Sequence, residues 1–174
     1  FRWTGSGFSP LPVPPGTIFS SAQGLNDNKT VVGFTTAANG TELATYWDDA
    51  NVRFTISPLA GDLHSRATVL NNANQIVGWS QSAKGVKRAF LFDGSRKETV
   101  ALGALSKAND SAARGINDFG QIVGQSGNGP QSQHAFLFSA GRIIDLNDIV
   151  HDHRDLQGKD FEFAKSNWEL TDAV

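Results

Sequence analysis

The sequence predicts an all-β fold built from four-stranded antiparallel units. Three observations carry this expectation. A short hairpin pattern with a tight turn occurs three times. Eighteen Gly and six Pro fall largely between short apolar runs. No window of useful length shows the i, i+3, i+4 apolar recurrence of a helix, apart from a doubtful stretch, Val150 to Lys165, whose charge argues against a packed helix.

The hairpin is clearest at Gly115-Ile116-Asn117-Asp118-Phe119-Gly120-Gln121-Ile122-Val123-Gly124. The other copies run Leu25 to Gly33 and Leu70 to Gly78. Leu25, Leu70 and Ile116 align at spacings of 45 and 46 residues, and the register extends further. Gly33, Gly78 and Gly124 are each followed, eleven residues later, by Ala44, Ala89 and Ala135. These open the aromatic strands Ala44-Thr45-Tyr46-Trp47, Ala89-Phe90-Leu91-Phe92 and Ala135-Phe136-Leu137-Phe138, and Phe1-Arg2-Trp3 is the tail of a fourth. A Gly or Asp turn and another apolar run follow each. Ser20-Ser21-Ala22, Ser65-Arg66-Ala67 and Ser111-Ala112-Ala113 then lead into the hairpins.

One unit is therefore four short strands, for example Arg114–Asn117, Gln121–Gln125, His134–Ser139 and Arg142–Leu146. The chain divides into a partial blade at 1–19, repeats at 20–64, 65–110 and 111–146, an insertion at 147–168 and the start of another repeat at 169–174. In the turn, the fourth position requires positive φ. Gly120 and Asn74 suit it, and Lys29 is the weak copy with the most strained turn. The Gly that ends each second strand is expected where a backbone or a large side chain packs closely.

A four-stranded unit of this size cannot bury both faces alone. Stacking copies around an axis solves the problem, which is the β-propeller solution with roughly 4–8 blades. Fewer than four full units fit in 174 residues, so the expectation is a partial or small propeller. A β-trefoil is the alternative, and an open solenoid stands third.

His134-Ala135-Phe136, set in the frame Gly-Ile-Asn-Asp-x-Gly-Gln-Ile-Val-Gly, resembles the HAF repeat. Arg88-Ala89-Phe90 is a near match and Leu43-Ala44-Thr45 a weak one. Phe1-Arg2-Trp3 resembles the tail of the Ala-Phe-Arg-Trp variant. Asp145 to Ile149, followed by Trp168-Glu169-Leu170-Thr171, resembles the longer link seen late in such arrays. The resemblance covers nearly the whole chain. It implies a bacterial extracellular or surface-exposed protein with a propeller-like fold, as part of a longer array. It implies no catalytic residues.

Composition narrows function by exclusion. A formal net charge of −2, with no Lys/Arg cluster, argues against a nucleic-acid partner. No apolar run is long enough for a membrane span. Without Cys, neither a disulfide framework nor a thiolate metal site can form. The chain opens mid-pattern and holds no Met, so any export signal is expected upstream.

His151-Asp152-His153-Arg154-Asp155 looks most like a site, because alternation places His151, His153 and Asp155 together. Its spacing matches no closed zinc site, and a solvated loop is the better reading. The turns at Asp27-Asn28 and Asn117-Asp118 lack the ligand spacing of a calcium loop. No metal, cofactor or catalytic residue is assigned. No Gly-x-Ser-x-Gly elbow accompanies any His, and glycoside cleavage by carboxylates separated in sequence stays open.

Topology does select a face. Loops after the second and fourth strands of a unit emerge on one side, and such loops carry function on rigid scaffolds. His64, Lys107, Asp110, His151, His153 and Trp168 are the candidate ligand-binding residues there. The expected function is a non-catalytic extracellular module for surface recognition, adhesion or structural assembly. Its expected partners are a protein or glycan at the cell surface, neighbouring copies, or the rest of a longer chain. A secreted glycan-binding or carbohydrate-active domain is the alternative.

Overall fold

A computed structural model describes residues 1–3, 5–129 and 132–148. Val150 to Lys165 and the three candidates His151, His153 and Trp168 lie outside these described residues. The described chain is all-β. A two-stranded hairpin pairs β1 (Arg2–Trp3) with β2 (Phe8–Ser9). The first four-stranded sheet contains β3 (Thr17–Leu25), β4 (Val31–Ala37), β5 (Glu42–Trp47) and β6 (Arg53–Thr55). The second contains β7 (Asp62–Leu70), β8 (Gln75–Ser82), β9 (Lys87–Asp93) and β10 (Glu98–Gly103). The third contains β11 (Asp110–Ile116), β12 (Ile122–Gly127), β13 (His134–Ser139) and β14 (Arg142–Asp145). Every pairing is antiparallel and between chain neighbours, and no described sheet closes on itself.

The cores lie between sheets. Val32, Ala44 and Ile56 from the first sheet meet Ala67, Leu70 and Phe90 from the second. Val77, Ala89 and Leu102 from the second meet Ala113, Ile122 and Phe136 from the third. Period-2 alternation explains the division, since Ile76 faces one core and its neighbour Val77 the other. Burial of a ring such as Phe90 or Phe136 contributes about 1.5–3 kcal/mol, so these interfaces outweigh any single surface contact.

The first strands are longer than the sequence suggests. The third unit's opening strand begins at Asp110 rather than Arg114, so the Ser-x-Ala step is itself strand. The expected position of the central glycines also needs correction. Gly33, Gly78 and Gly124 lie inside their strands, opposite bulges in which the register slips between Ala22 and Gly24, Ala67 and Val69, and Ala113 and Gly115. The close approach itself is present. A Cβ on Gly33 would lie 1.9 Å from the Ser21 carbonyl oxygen, one on Gly78 1.9 Å from that of Arg66, and one on Gly124 2.2 Å from that of Ala112. The bulge pushes a carbonyl over the partner strand, and only glycine leaves room for it.

The turns match expectation. Lys29, Asn74 and Gly120 have φ of 61°, 57° and 75°. Gly120→Val is expected to destabilise the protein by about 1–2 kcal/mol, and Lys29→Gly to stabilise it by less than about 1 kcal/mol. Gly78→Ala is expected to cost more than about 2 kcal/mol, because its obstacle is backbone. Thermal melts check all three, and a neutral Gly120→Val would contradict the turn geometry.

Candidate functional site

A recurring set of side-chain hydrogen bonds joins sheet to sheet in the described chain. The amide of Ala44 donates to Ser65 Oγ at 2.9 Å, and that of Ala89 donates to Ser111 Oγ at 2.9 Å. The reason is local. The Ala44 carbonyl accepts from Ile56 N, just past the end of β6, so the Ala44 amide has outrun its in-sheet partner. Left unpaired and buried, it would cost about 1–3 kcal/mol. A second pair of bonds has the same form, from Leu59 N to Ser80 Oγ and from Leu105 N to Ser126 Oγ, both 3.0 Å. All four hydroxyls are buried.

Two candidate site residues belong to these seams. His64 Nδ1 accepts from the Glu42 amide at 3.2 Å, and Asp110 Oδ1 accepts from the Lys87 amide. Each precedes its seam serine, so imidazole and carboxylate do the same job in successive sheets. Lys107 is exposed at φ 66°, and its carbonyl accepts from Asn128 Nδ2. No hydrogen bond or ion pair among the described residues joins His64, Lys107 and Asp110 to one another. The cavity beside Asp110, lined also by Lys87, Gln125 and Gln133, holds about 30 Å³. That is room for about one water.

The hairpin turns form a second seam. Asn26 Nδ2 donates to the Asn71 carbonyl at 3.0 Å, and Asn71 Nδ2 donates to the Asn117 carbonyl at 3.0 Å. Each Oδ1 meanwhile accepts the amide four residues on, from Thr30, Gln75 and Gln121, at 2.9 Å in every case. One side chain thus closes its own turn and clasps the next. Asn72 sits between Asp27 and Asp118, donating Nδ2 to their carboxylates at 2.9 and 3.2 Å. Those carboxylates are bridged by the Asn72 side-chain amide. Among the described residues, no three of His, Cys, Asp and Glu converge as metal ligands.

Several groups emerge only in three dimensions. Arg66 bonds Glu42 through two nitrogens, at 2.7 and 2.5 Å, and lies 4.1 Å over the Phe34 ring and 5.3 Å from that of Trp79. Cross-strand alternation opposite Trp79 was the available signal for half of this cluster. Tyr46 and Phe54 stack at 4.8 Å beside a groove of about 220 Å³, and Lys97 reaches over both rings from the second sheet. His134, a strand residue in β13, is exposed, and its Nδ1 lies 2.7 Å from Asp145 Oδ2.

No family model, curated protein or solved structure matches the chain. No helix among the described residues is long and apolar enough to cross a membrane.

Two predictions follow from the geometry. Ser111→Ala strands the buried Ala89 amide and the Gly103 carbonyl that Ser111 also serves, and is expected to cost about 1–3 kcal/mol in chemical denaturation. Desolvation pushes the Asp145 carboxyl up, but hydrogen bonds from His134 and the Asn147 amide, with the positive charge His134 carries when protonated, hold it below its ordinary value. A depressed carboxyl stabilises the fold above its unfolded value and loses that contribution as pH falls through the lower folded one. Melting temperature is therefore expected to fall more steeply below about pH 4 in the parent than in Asp145→Asn.

Proposed function

We propose that this chain is a β-propeller-type array of the HAF-repeat kind, acting as a non-catalytic extracellular module for surface recognition, adhesion or structural assembly. The carrying observation is the pair of seams. The repeating Ser, Asn and Asp side chains bind neighbouring sheets, so the chain's most regular polar residues serve the scaffold. Sheets formed only from chain neighbours, with cores between them, favour blades over a trefoil, whose repeats share one barrel.

A glycan-binding or carbohydrate-active domain is the second reading. One observation favours it: the groove beside the stacked Tyr46 and Phe54 offers an aromatic face with Thr55, Ser57 and Thr99 around it. Lys97 Nζ sits over those rings and bonds the Tyr46 hydroxyl at 2.5 Å, which weakens that reading. A glycan array read with and without EDTA, together with hydrolysis assays on chromogenic glycosides, separates the two. The expected result is background binding in both conditions and no hydrolysis. Saturable glycan binding lost in Tyr46→Ala would overturn the proposal.

A further inference from the structure

We propose that the groove between the first and second sheets, beside Tyr46 and Lys97, takes a carboxylate side chain from an acidic peptide segment of a partner protein. The inference rests on the recognition role and specifies the chemistry of one contact.

Strand pairing inside the chain builds the groove. Tyr46 in β5 pairs with Phe54 in β6, and Phe92 in β9 pairs with Thr99 in β10. Paired residues share a face of their sheet. The Tyr46 and Phe92 rings lie 5.7 Å apart, which brings the two pairs together across the seam. Both rings are buried, and with Phe54 they form an apolar wall. Thr55 and Ser57 complete the lining. The two sheets are described from end to end, so the groove does not depend on where the described chain starts or stops.

Its charge has one sign. Lys97 lines the groove, and no Asp or Glu among the described residues does. Lys97 Nζ donates to the Tyr46 hydroxyl at 2.5 Å, which uses one of its three N–H groups. Arginines of the same unit are compensated, since Arg66 pairs with Glu42, Arg88 with Asp62 and Arg96 with Asp93. Lys97 has no carboxylate partner among the described residues. Glu98 precedes Thr99 in β10, so alternation turns it to the other face of the sheet. The Ser57 and Thr99 hydroxyls make no hydrogen bond among the described residues. An ammonium with N–H groups to spare and hydroxyls beside it complement an oxyanion. A carboxylate accepts from all of them, and aromatic walls strengthen such charge-assisted bonds by keeping water away.

Size selects the source of the carboxylate. The groove holds about 220 Å³, less than the roughly 300–1,000 Å³ of sites that enclose a whole small ligand. It admits an Asp or Glu side chain projecting from a partner's surface. A sugar ring would need the aromatic face, and Lys97 Nζ already lies 5.0 and 5.1 Å from the Tyr46 and Phe54 ring centres.

The test is an NMR titration of the full 174-residue chain with a short poly-glutamate peptide, run beside one with oligogalacturonate, which carries the same group on a glycan. The expected result is saturable peptide-induced shifts confined to the groove, the Ser57 and Thr99 amides among them, with Kd below about 1 mM at low salt. Lys97→Gln is expected to weaken binding at least about fivefold, and Lys97→Arg to keep it within about twofold. Thr99→Val, which leaves Lys97 in place, is expected to weaken it about twofold. Lys84→Gln changes a cation at the opposite end of β9 and is expected to leave binding unchanged. Thermal melts matching the parent confirm that the variants fold. No saturable shift in the parent would overturn the proposal. So would equal losses in Lys97→Gln and Lys84→Gln, which would mean general charge attraction, or tighter binding of oligogalacturonate than of the peptide. Absent peptide binding with a blank glycan array overturns this contact alone; the recognition role fails instead on saturable glycan binding lost in Tyr46→Ala.

Discussion

The structure depends on an amide that its own sheet cannot satisfy. In a meander whose fourth strand is shorter than its third, the third strand overhangs. At Ala44 that overhang, and at Ala89 the register shift between Ala101 and Gly103 of the paired strand, turns a buried N–H to the neighbouring sheet, and Ser65 and Ser111 receive it. Apolar burial supplies most of the attraction between sheets, but it is non-directional. The serine bond fixes register, since a shift of one residue would leave both amide and hydroxyl without partners.

The other features follow from that close apposition. Each bulge lets the first strand bend around its neighbour, and the displaced carbonyl demands glycine across the pair. The bulge residue Thr68 uses its hydroxyl to reach both the Val77 and the Ala113 carbonyls, tying the second sheet to the third at 3.0 Å. At the turns, asparagine repeats the device with one side chain acting in two directions. Asn26 and Asn71 are buried in this ladder, whereas Asn117, where the described series stops, is exposed, its Nδ2 donating to Gln121 as that of Asn71 also does to Gln75.

Much of the scaffold was legible in the sequence because it depends on local rules repeated at one spacing. Positive φ at Lys29, Asn74 and Gly120 could be read from the turn pattern, as could the aromatic strands and their order. What could not be read was contact between sheets. Ser65 and Ser111 looked like connectors, because a serine that satisfies a distant amide has no periodic signature of its own. For the same reason His64 and Asp110 stood out as candidate ligand-binding residues of loops, although each lies in a first strand and accepts an amide from the preceding sheet. The glycines were placed at strand ends because a bulge is invisible to alternation until its partner strand is known. Arg66, Glu42 and Phe34 meet across two sheets, and only one pairing in that cluster, Arg66 with Trp79, lies within reach of cross-strand reasoning.

Amide hydrogen exchange measured at Ala44 and Ala89 tests most directly whether seam serines hold the sheets together. The account predicts that both amides exchange only through near-global opening, and that Ser65→Ala accelerates Ala44 selectively while Ala89 stays protected. Fast exchange at both positions in the parent protein, or no change at Ala44 when Ser65 is removed, would contradict it.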